Sequence, residues 1–217
     1  ELMATNPIFD WLIAYGTTAM EFVGVVAFAL SGLLEASRRK FDIVGMAMVA
    51  ALTAFAGGTL RDILLDRRPF FWVENEFYVW GILVVSLLLL IFVRRAHLQL
   101  TENAVEWPDA IGLGIFAAGG TQMSLDSGMP WLIAVVLGVV TATFGGVARD
   151  IVVNHVPRAF TDHEPYAVIA FAGGWLVILL NEIGLERWVT MLTAATVMTA
   201  VRFAVMLWGW KVPAWRA

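Results

Sequence analysis

The sequence predicts an all-α integral membrane protein with seven transmembrane helices, arranged as two inverted three-helix repeats followed by a seventh helix. Three observations predict this fold class. The 217 residues are 60% hydrophobic and 15% charged, with a mean hydropathy of +0.79, whereas a soluble domain is about 45–50% apolar and about 25% charged. Seven apolar stretches come close to the length that crosses a bilayer. A motif with an arginine and an aspartate occurs twice, in the second and the fifth stretch.

Each stretch is expected to form one membrane-spanning helix, since about 20 apolar residues cross the hydrocarbon core. The predicted bounds are Trp11 to Leu34, Ile43 to Leu65, Phe77 to Val93, Ala110 to Met123, Trp131 to Val153, Tyr166 to Leu180 and Trp188 to Trp210. We expect a single membrane domain over residues 1–217, with repeat one at about 11–99, repeat two at about 100–187 and the extra helix at 188–210.

The composition also excludes classes of function. A soluble enzyme, a disordered tail and a nucleic-acid binder do not carry this much apolar sequence, and the net charge of −4 provides no basic face for phosphates. The chain has no cysteine, which excludes disulfides, thiolate metal sites and cysteine nucleophiles. His97, His155 and His163 lack a metal-ligand spacing, and no hydrolase motif occurs. We therefore expect no enzymatic activity, cofactor, metal or nucleic-acid partner.

Basic residues in the loops predict the orientation, because Lys and Arg are enriched on the cytoplasmic side of membrane proteins. One side carries eight of them: Arg38, Arg39, Lys40, Arg94, Arg95, Arg158, Lys211 and Arg216. The other side carries three: Arg67, Arg68 and Arg187. We expect a multi-pass protein of the cell (inner) membrane with its N-terminus outside and its C-terminus cytoplasmic. The first three basic residues are expected to anchor the chain at lipid head groups.

The most informative feature is an internal repeat: GGTLRDI at 57–63 recurs 88 residues later as GGVARDI at 145–151, and six of the thirteen positions from 57 to 69 are identical. The same offset relates further pairs, namely Glu21 and Asp109, Gly24 and Gly112, Phe28 and Phe116, Gly32 and Gly120, Thr53 and Thr141, Glu76 and Glu164, and Tyr78 and Tyr166. Each copy holds three predicted spans, an odd number, so the second copy enters the membrane from the opposite face. Many transporters are built from such inverted repeats.

The repeated motif predicts a polar path. Thr53, Gly57 and Arg61 are four residues apart and share one helix face, and the second copy repeats this stripe. A glycine pair in mid-span favours a kink, and carbonyls freed there bond only to protein, water or an ion. We expect the path to be lined by residues of both copies: Thr53, Gly57, Gly58, Arg61, Asp62, Thr141, Gly145, Gly146, Arg149 and Asp150.

The charged pairs need partners, since an arginine or aspartate in mid-span costs about 2.5–3.5 kcal/mol on insertion scales. Neighbouring residues do not face each other on a helix, so we expect a crossed pairing, Arg61 with Asp150 and Arg149 with Asp62. Two alternatives stay open: the glycine pairs allow close helix packing, and the arginines extend to a membrane interface.

Three further charges lie in the predicted spans or next to them. Glu21 and Arg202 are candidate accessory residues of the path. Asp109 is expected to be an interfacial or helix N-terminal charge. Arg202 has no counterpart in the repeat, and it is expected either to anchor at head groups or to bond to a neighbouring chain.

On these residues the chain resembles the trimeric intracellular cation (TRIC) channel family in its prokaryotic branch, which overlaps the bacterial glycine transporter family. The resemblance covers nearly the whole chain. It implies a homotrimer with a pore in each subunit, permeation by potassium and other monovalent cations, and kinked second and fifth helices. The family's motif maps onto Gly57, Gly58, Arg61, Gly145, Gly146 and Arg149.

The chain departs from the family pattern in two places. The family often has three consecutive glycines, whereas Ala56 and Phe144 precede the pairs here. Animal relatives carry basic residues in the fourth span, and this chain has none between Arg95 and Arg149. Voltage or calcium gating is therefore not implied.

Two functions remain open at this point. A cation channel follows from the resemblance, with carbonyls and hydroxyls binding the ion. A secondary transporter for a small amino acid such as glycine fits inverted repeats and broken helices equally well.

Overall fold

The computed structural model describes residues 7–96, 101–161, 164–211 and 213. Over these residues the chain is helical and contains no strand. The helices are α1 (Pro7–Arg38), α2 (Ile43–Leu64), α3 (Phe71–Glu74), α4 (Phe77–Ala96), α5 (Glu102–Asp126), α6 (Trp131–Val152), α7 (Arg158–Thr161), α8 (Tyr166–Glu182) and α9 (Arg187–Trp208). His97, His163 and Arg216, and the side chains of Arg94 and Arg95, fall outside the described part.

The seven longer helices cover the seven predicted apolar stretches. The fourth stretch differs most, because α5 begins at Glu102, eight residues before the predicted start. Thr101 caps it by accepting a hydrogen bond from the backbone nitrogen of Ala104 at 3.4 Å. The last helix ends at Trp208, since Gly209 adopts a left-handed conformation with φ of 65°. The short helices α3 and α7 were not predicted.

Several of these helices suit a bilayer by length and composition. In the described residues, α1 from Tyr15 onward, α2, α6 and α9 are long and apolar enough to cross a membrane, and shorter apolar helices run over Phe77–Leu89 and Tyr166–Glu182. Large apolar side chains of α4, such as Trp80 and Leu87, are 60% exposed. An apolar outer surface of this kind is typical of a protein in contact with lipid. The chain is a multi-pass membrane protein, and the count of seven spans stays a prediction.

Residues related by the 88-residue offset make reciprocal contacts in the centre of the bundle. Phe28 of α1 stacks on Phe116 of α5, with ring centroids 5.2 Å apart and planes 4° from parallel. A methyl group on Gly112 would overlap the ring of Phe28, and one on Gly24 would crowd the ring of Phe116. Each aromatic ring therefore lies over the glycine that the other copy supplies, which fixes α1 against α5.

Helix α9 packs on repeat two. A methyl group on Gly114 of α5 would crowd Thr199 and the carbonyl oxygen of Ala195, and one on Gly173 of α8 would overlap Met198. Small residues at such points let two helix backbones approach closely. One face of α9 is thereby buried against α5 and α8, which brings Arg202 close to the polar residues described next.

Candidate functional site

The predicted glycine and threonine stripes meet where α2 crosses α6. A methyl group on Gly57 would overlap the carbonyl oxygen of Thr141, and a methyl group on Gly145 would overlap that of Thr53. The two threonine hydroxyls donate at 2.6 Å to carbonyls of their own helices, those of Val49 and Leu137. Helical conformation continues without a break through both glycine pairs. The contact of α2 with α6 is the close packing left open as an alternative, and the expected kink stays a prediction.

The first arginine site lies at the end of α2. The Arg61 side chain is 1% exposed, and its Nε and Nη2 donate to Oδ1 of Asp62 at 2.9 and 2.8 Å. The other carboxylate oxygen of Asp62 accepts a hydrogen bond from the backbone nitrogen of Phe71 at 2.9 Å. The Phe71 ring lies 5.5 Å from the guanidinium, within the range of a cation–π contact.

The second site, at the end of α6, repeats the arginine–aspartate contact and the backbone hydrogen bond to the aspartate. Nε of Arg149 donates to Oδ1 of Asp150 at 2.9 Å, and Oδ2 of Asp150 accepts from the backbone nitrogen of Arg158 at 3.0 Å. Nη1 of Arg149 donates to Asp109 at 2.7 Å and to the hydroxyl of Ser31 at 2.5 Å. This guanidinium therefore ties α6 to both α1 and α5.

These contacts correct three expectations. The crossed pairing is wrong: each arginine binds the aspartate that follows it, because both residues lie in the last turn of a helix, where a long side chain folds back over the helix end. The extension of the arginines to a membrane interface is also wrong, since Arg61 and Arg149 are 1% and 4% exposed. Asp109 is not an interfacial charge but a buried partner of Arg149.

Each site includes a carboxylate that accepts a hydrogen bond from a tyrosine. The Tyr78 hydroxyl donates to Glu21 at 3.0 Å, and the Tyr166 hydroxyl donates to Asp109 at 2.6 Å. The 88-residue offset relates these two pairs, so the repeat contained the signal that both tyrosines belong to the sites. They were not among the predicted site residues.

The ends of α2 and α6 also share a backbone geometry. Asp66 and Asn154, which the offset relates, have φ of 51° and 57°, a left-handed conformation that Asp and Asn tolerate better than most residues. The next residues, Arg67 and His155, donate their backbone N–H groups at 2.8 Å to the carbonyls of Asp62 and Asp150. The extended sequence match beyond Arg-Asp therefore reflects a common way of ending the helix.

A charged pocket lies beside the second site and has a cavity volume of about 30 Å³. Its lining includes four carboxylates and three guanidinium groups, from Glu106, Asp109, Asp150, Glu164, Arg149, Arg158 and Arg202. Arg202 forms an ion pair with Glu164 of the same chain and lies over the Tyr166 ring at 5.3 Å. Within the chain Arg202 therefore binds a residue of repeat two, and its expected contact with a head group or a neighbouring chain stays a prediction.

Two residues of the basic run Arg38-Arg39-Lys40 form ion pairs within the chain. Glu35, 2% exposed, accepts from Arg38 at 3.0 Å, Arg39 at 3.1 Å and Arg158 at 3.2 Å. Arg158 also lies 3.7 Å from Glu106. This cluster links the end of α1 to the pocket, and no signal in the sequence marked Glu35 or Arg158 as part of it. The predicted role of the run as a lipid anchor stays a prediction.

Comparison with known proteins gives two kinds of similarity. A family model described as "Glycine transporter" matches the chain twice, at residues 18–94 and 106–182. The chain is 31% identical over 194 residues to a UPF0126 membrane protein of Vibrio cholerae, covering 89% of this chain and 80% of the relative. It is also 31% identical over 199 residues to the UPF0126 inner membrane protein YadS of Escherichia coli, covering 89% and 93%.

A solved structure is similar as well. It is a TRIC trimeric intracellular cation channel orthologue from Rhodobacter sphaeroides, with a TM-score of 0.83 and 34% identity, and the match covers 90% of this chain and 100% of the other.

Proposed function

We propose that this chain, which belongs to the Glycine transporter family and is built on the fold of the TRIC channels, conducts monovalent cations, potassium among them. The path lies inside each subunit of a homotrimer. One observation of the chain itself carries the proposal: a pocket lined by four carboxylates and three arginines lies within a membrane protein. Ionisable residues inside a membrane domain commonly mark ion pathways. The excess of carboxylate favours cations over anions in this pocket.

The path we propose runs along α2 and α6 between the two arginine sites. Gly58, Arg61 and Asp62 belong to one end of it, and Gly146 and Arg149 belong to the other together with Asp150. Its narrowest part is the crossing of the two helices, lined by Thr53, Gly57, Thr141 and Gly145. In the conformation described above this crossing is closed, so conduction requires α2 and α6 to separate there by about the width of a dehydrated ion.

An inverted repeat underlies the path. The family model matches two segments whose first residues are 88 positions apart. Residue 57 lies against 141 and residue 53 against 145, so the equivalent helices α2 and α6 run in opposite directions. These observations support two copies of opposite orientation in the membrane, with α9 outside the repeat and seven spans in all.

The orientation proposed from the loops agrees with the position of the basic cluster. Arg38, Arg39 and Arg158 lie together around Glu35, at the same end of the bundle as the charged pocket. With this end in the cytoplasm, the pocket opens to the cytoplasmic side of the inner membrane and the N-terminus lies outside.

A transporter of a small zwitterion such as glycine is the second candidate. The description of the family favours it, and so does a pocket that offers guanidinium groups to a carboxylate and carboxylates to an ammonium group. The two functions predict different currents, because a channel passes ions without a substrate and a transporter does not.

Recording in planar bilayers separates the candidates. The purified protein should give discrete potassium currents without amino acid present. Glu106→Gln should reduce these currents, since Glu106 lines the pocket and its basic neighbour Arg158 is 3.7 Å away. Glu182→Gln is the matched control, because Glu182 is exposed in the last turn of α8 and does not line the pocket. Saturable uptake of glycine driven by an ion gradient, without unitary currents, would overturn the channel.

A further inference from the structure

The two arginine sites share the contact of the arginine with the aspartate that follows it and the backbone donor to that aspartate, but an aromatic ring covers only the first arginine. At the first site the Phe71 ring lies beside Gly58, and a methyl group on Gly58 would overlap it. At the second site the three atoms nearest to a methyl group on Gly146 are polar: Nη2 of Arg149, Oδ1 of Asp109 and the Tyr166 hydroxyl oxygen, each at 3.6 Å. The space filled by a ring in repeat one is therefore part of the charged pocket in repeat two.

The sequence explains this difference. By the 88-residue offset, the counterpart of Phe71 is Ala159. By backbone hydrogen bonding it is Arg158, because the backbone nitrogen of Phe71 donates to Asp62 and that of Arg158 donates to Asp150. Neither residue has an aromatic ring to cover Arg149. Both Arg158 and Ala159 line the pocket, so the loss of the ring in the second copy coincides with the presence of the pocket.

The surroundings of Phe71 suit a seal at one end of a path. The ring is 3% exposed and packs against Phe55, Tyr78 and Phe116, at centroid distances of 5.9, 5.6 and 6.4 Å. It belongs to the connection between α2 and α4, where Arg67 and Glu74 form a solvent-exposed ion pair. Phe71 thus separates the buried Arg61 from a face of the protein that is in contact with water.

We propose that Phe71 closes the ion path at the end that bears Arg67, and that Ala159 leaves the opposite end accessible. The inference rests on the proposed conduction and adds a second barrier, at one end of the path, to the closed crossing of α2 and α6. A buried aromatic side chain excludes water from a constriction, and hydrophobic constrictions gate ion passage by dewetting. The pseudo-symmetry of the two copies supplies the comparison, since repeat two is the same site without the ring.

Conductance tests the proposal through a reciprocal exchange. Phe71→Ala should raise single-channel conductance or open probability several-fold, and Ala159→Phe should lower it, because each variant gives one copy the residue of the other. Phe71→Leu keeps an apolar side chain without the ring and should give an intermediate value, which guards against a simple failure of the alanine variant to fold. Phe70→Ala is the control and should conduct as the unchanged protein does, because Phe70 lies next to the seal but contacts Arg68 instead of Arg61.

Thiol accessibility tests the same seal without any current. The chain has no cysteine, so Phe71→Cys places a single thiol where the seal was. It should react with a membrane-impermeant methanethiosulfonate reagent. Phe28→Cys should not react, because Phe28 is 1% exposed and is packed between α1 and α5, stacked on Phe116 and lying over Gly112.

The two experiments distinguish a failure of the proposed seal from a failure of the proposed conduction. Unitary currents that Phe71→Ala leaves unchanged, together with an unreactive Phe71→Cys, would overturn the seal and leave the channel standing. A reactive Phe71→Cys in a protein that gives no unitary currents would overturn the channel and retain Phe71 as the barrier to water.

Discussion

We expect the substitution Asp109→Asn to destabilise the protein, because Asp109 is a buried partner of both Arg149 and Tyr166. Its Oδ1 accepts from Nη1 of Arg149 at 2.7 Å and lies 3.4 Å from the Ser31 hydroxyl, while its Oδ2 accepts from the Tyr166 hydroxyl at 2.6 Å. Asp109→Asn keeps the volume of the side chain but removes the charge and replaces one acceptor by an N–H₂ donor. Either Arg149 or Tyr166 then faces a donor.

The magnitude follows from these contacts. A buried donor left without a partner costs about 1–3 kcal/mol, and hydrogen bonds to charged groups contribute about 1.5–3 kcal/mol. Breaking a buried ion pair by removing one partner costs about 3–5 kcal/mol, and Arg149 retains Asp150 as a second partner. We therefore expect Asp109→Asn to lower the free energy of unfolding by about 2–4 kcal/mol. For a chain of this size, where each kcal/mol shifts Tm by about 2–4 °C, Tm falls by on the order of 10 °C.

Glu21→Gln is the matched control for this change. In the described residues Glu21 accepts one hydrogen bond, from Tyr78, and contacts no arginine; the amide oxygen of glutamine still accepts from that hydroxyl. The expected loss is about 1 kcal/mol or less. Thermal unfolding in detergent, followed by tryptophan fluorescence, measures both variants. Equal shifts in Tm for Asp109→Asn and Glu21→Gln would refute the idea that the ion pair with Arg149 holds the second site together.

Three further experiments test other contacts. Gly57→Ala should lower the free energy of unfolding by about 1–3 kcal/mol, and with it Tm, because the added methyl group overlaps a carbonyl of α6. Gly146→Ala should change Tm little, because its methyl group has room. Similar shifts in Tm for the two variants would contradict the close packing. Glu35→Gln should lower the free energy of unfolding by about 2 kcal/mol, because it removes the negative charge that pairs with three partly exposed arginines. An unchanged Tm in detergent would contradict this expectation. Exchanging the charges of Asp62 and Arg149 should give a double variant no better folded, by size-exclusion profile, than either single variant, since the two residues belong to separate sites; rescue would restore the crossed pairing.

The helices followed from the sequence because apolar length is a local property. Predicted bounds such as 43–65 and 131–153 agree within one residue with α2 and α6. The family and the fold of the TRIC channels also followed from the sequence, through the repeated glycine and arginine motif. The start of α5 was missed because Glu102 and Glu106 interrupt the apolar pattern, although helix formation does not require apolar residues there.

The partners of the buried charges did not follow from the sequence, because they depend on side-chain reach at helix ends. Neighbours in mid-helix point apart, but Arg61 lies in the last turn of α2 and bends back to Asp62. The role of Asp109 depends on how α5 packs against α6, which one sequence does not reveal. The offset that relates Tyr78 to Tyr166 was visible, and combined with the pairing of Glu21 and Asp109 it identifies a contact that the structure contains twice.

The glycine pairs show why a motif alone does not determine its role. A kink and a close contact both need residues without side chains, so the sequence left both open. The reciprocal positions of Gly57 and Gly145 against threonine carbonyls show the close contact, and the kink stays a prediction. The same closeness makes this crossing the narrowest part of the proposed path.

The reversal potential of the purified protein in a planar bilayer tests the proposed conduction most directly. With more potassium chloride on one side, a cation path gives unitary currents that reverse near the potassium equilibrium potential, and Glu106→Gln shifts the reversal toward zero. Reversal near the chloride potential, or an absence of unitary currents in protein that is folded and trimeric, would contradict a cation channel.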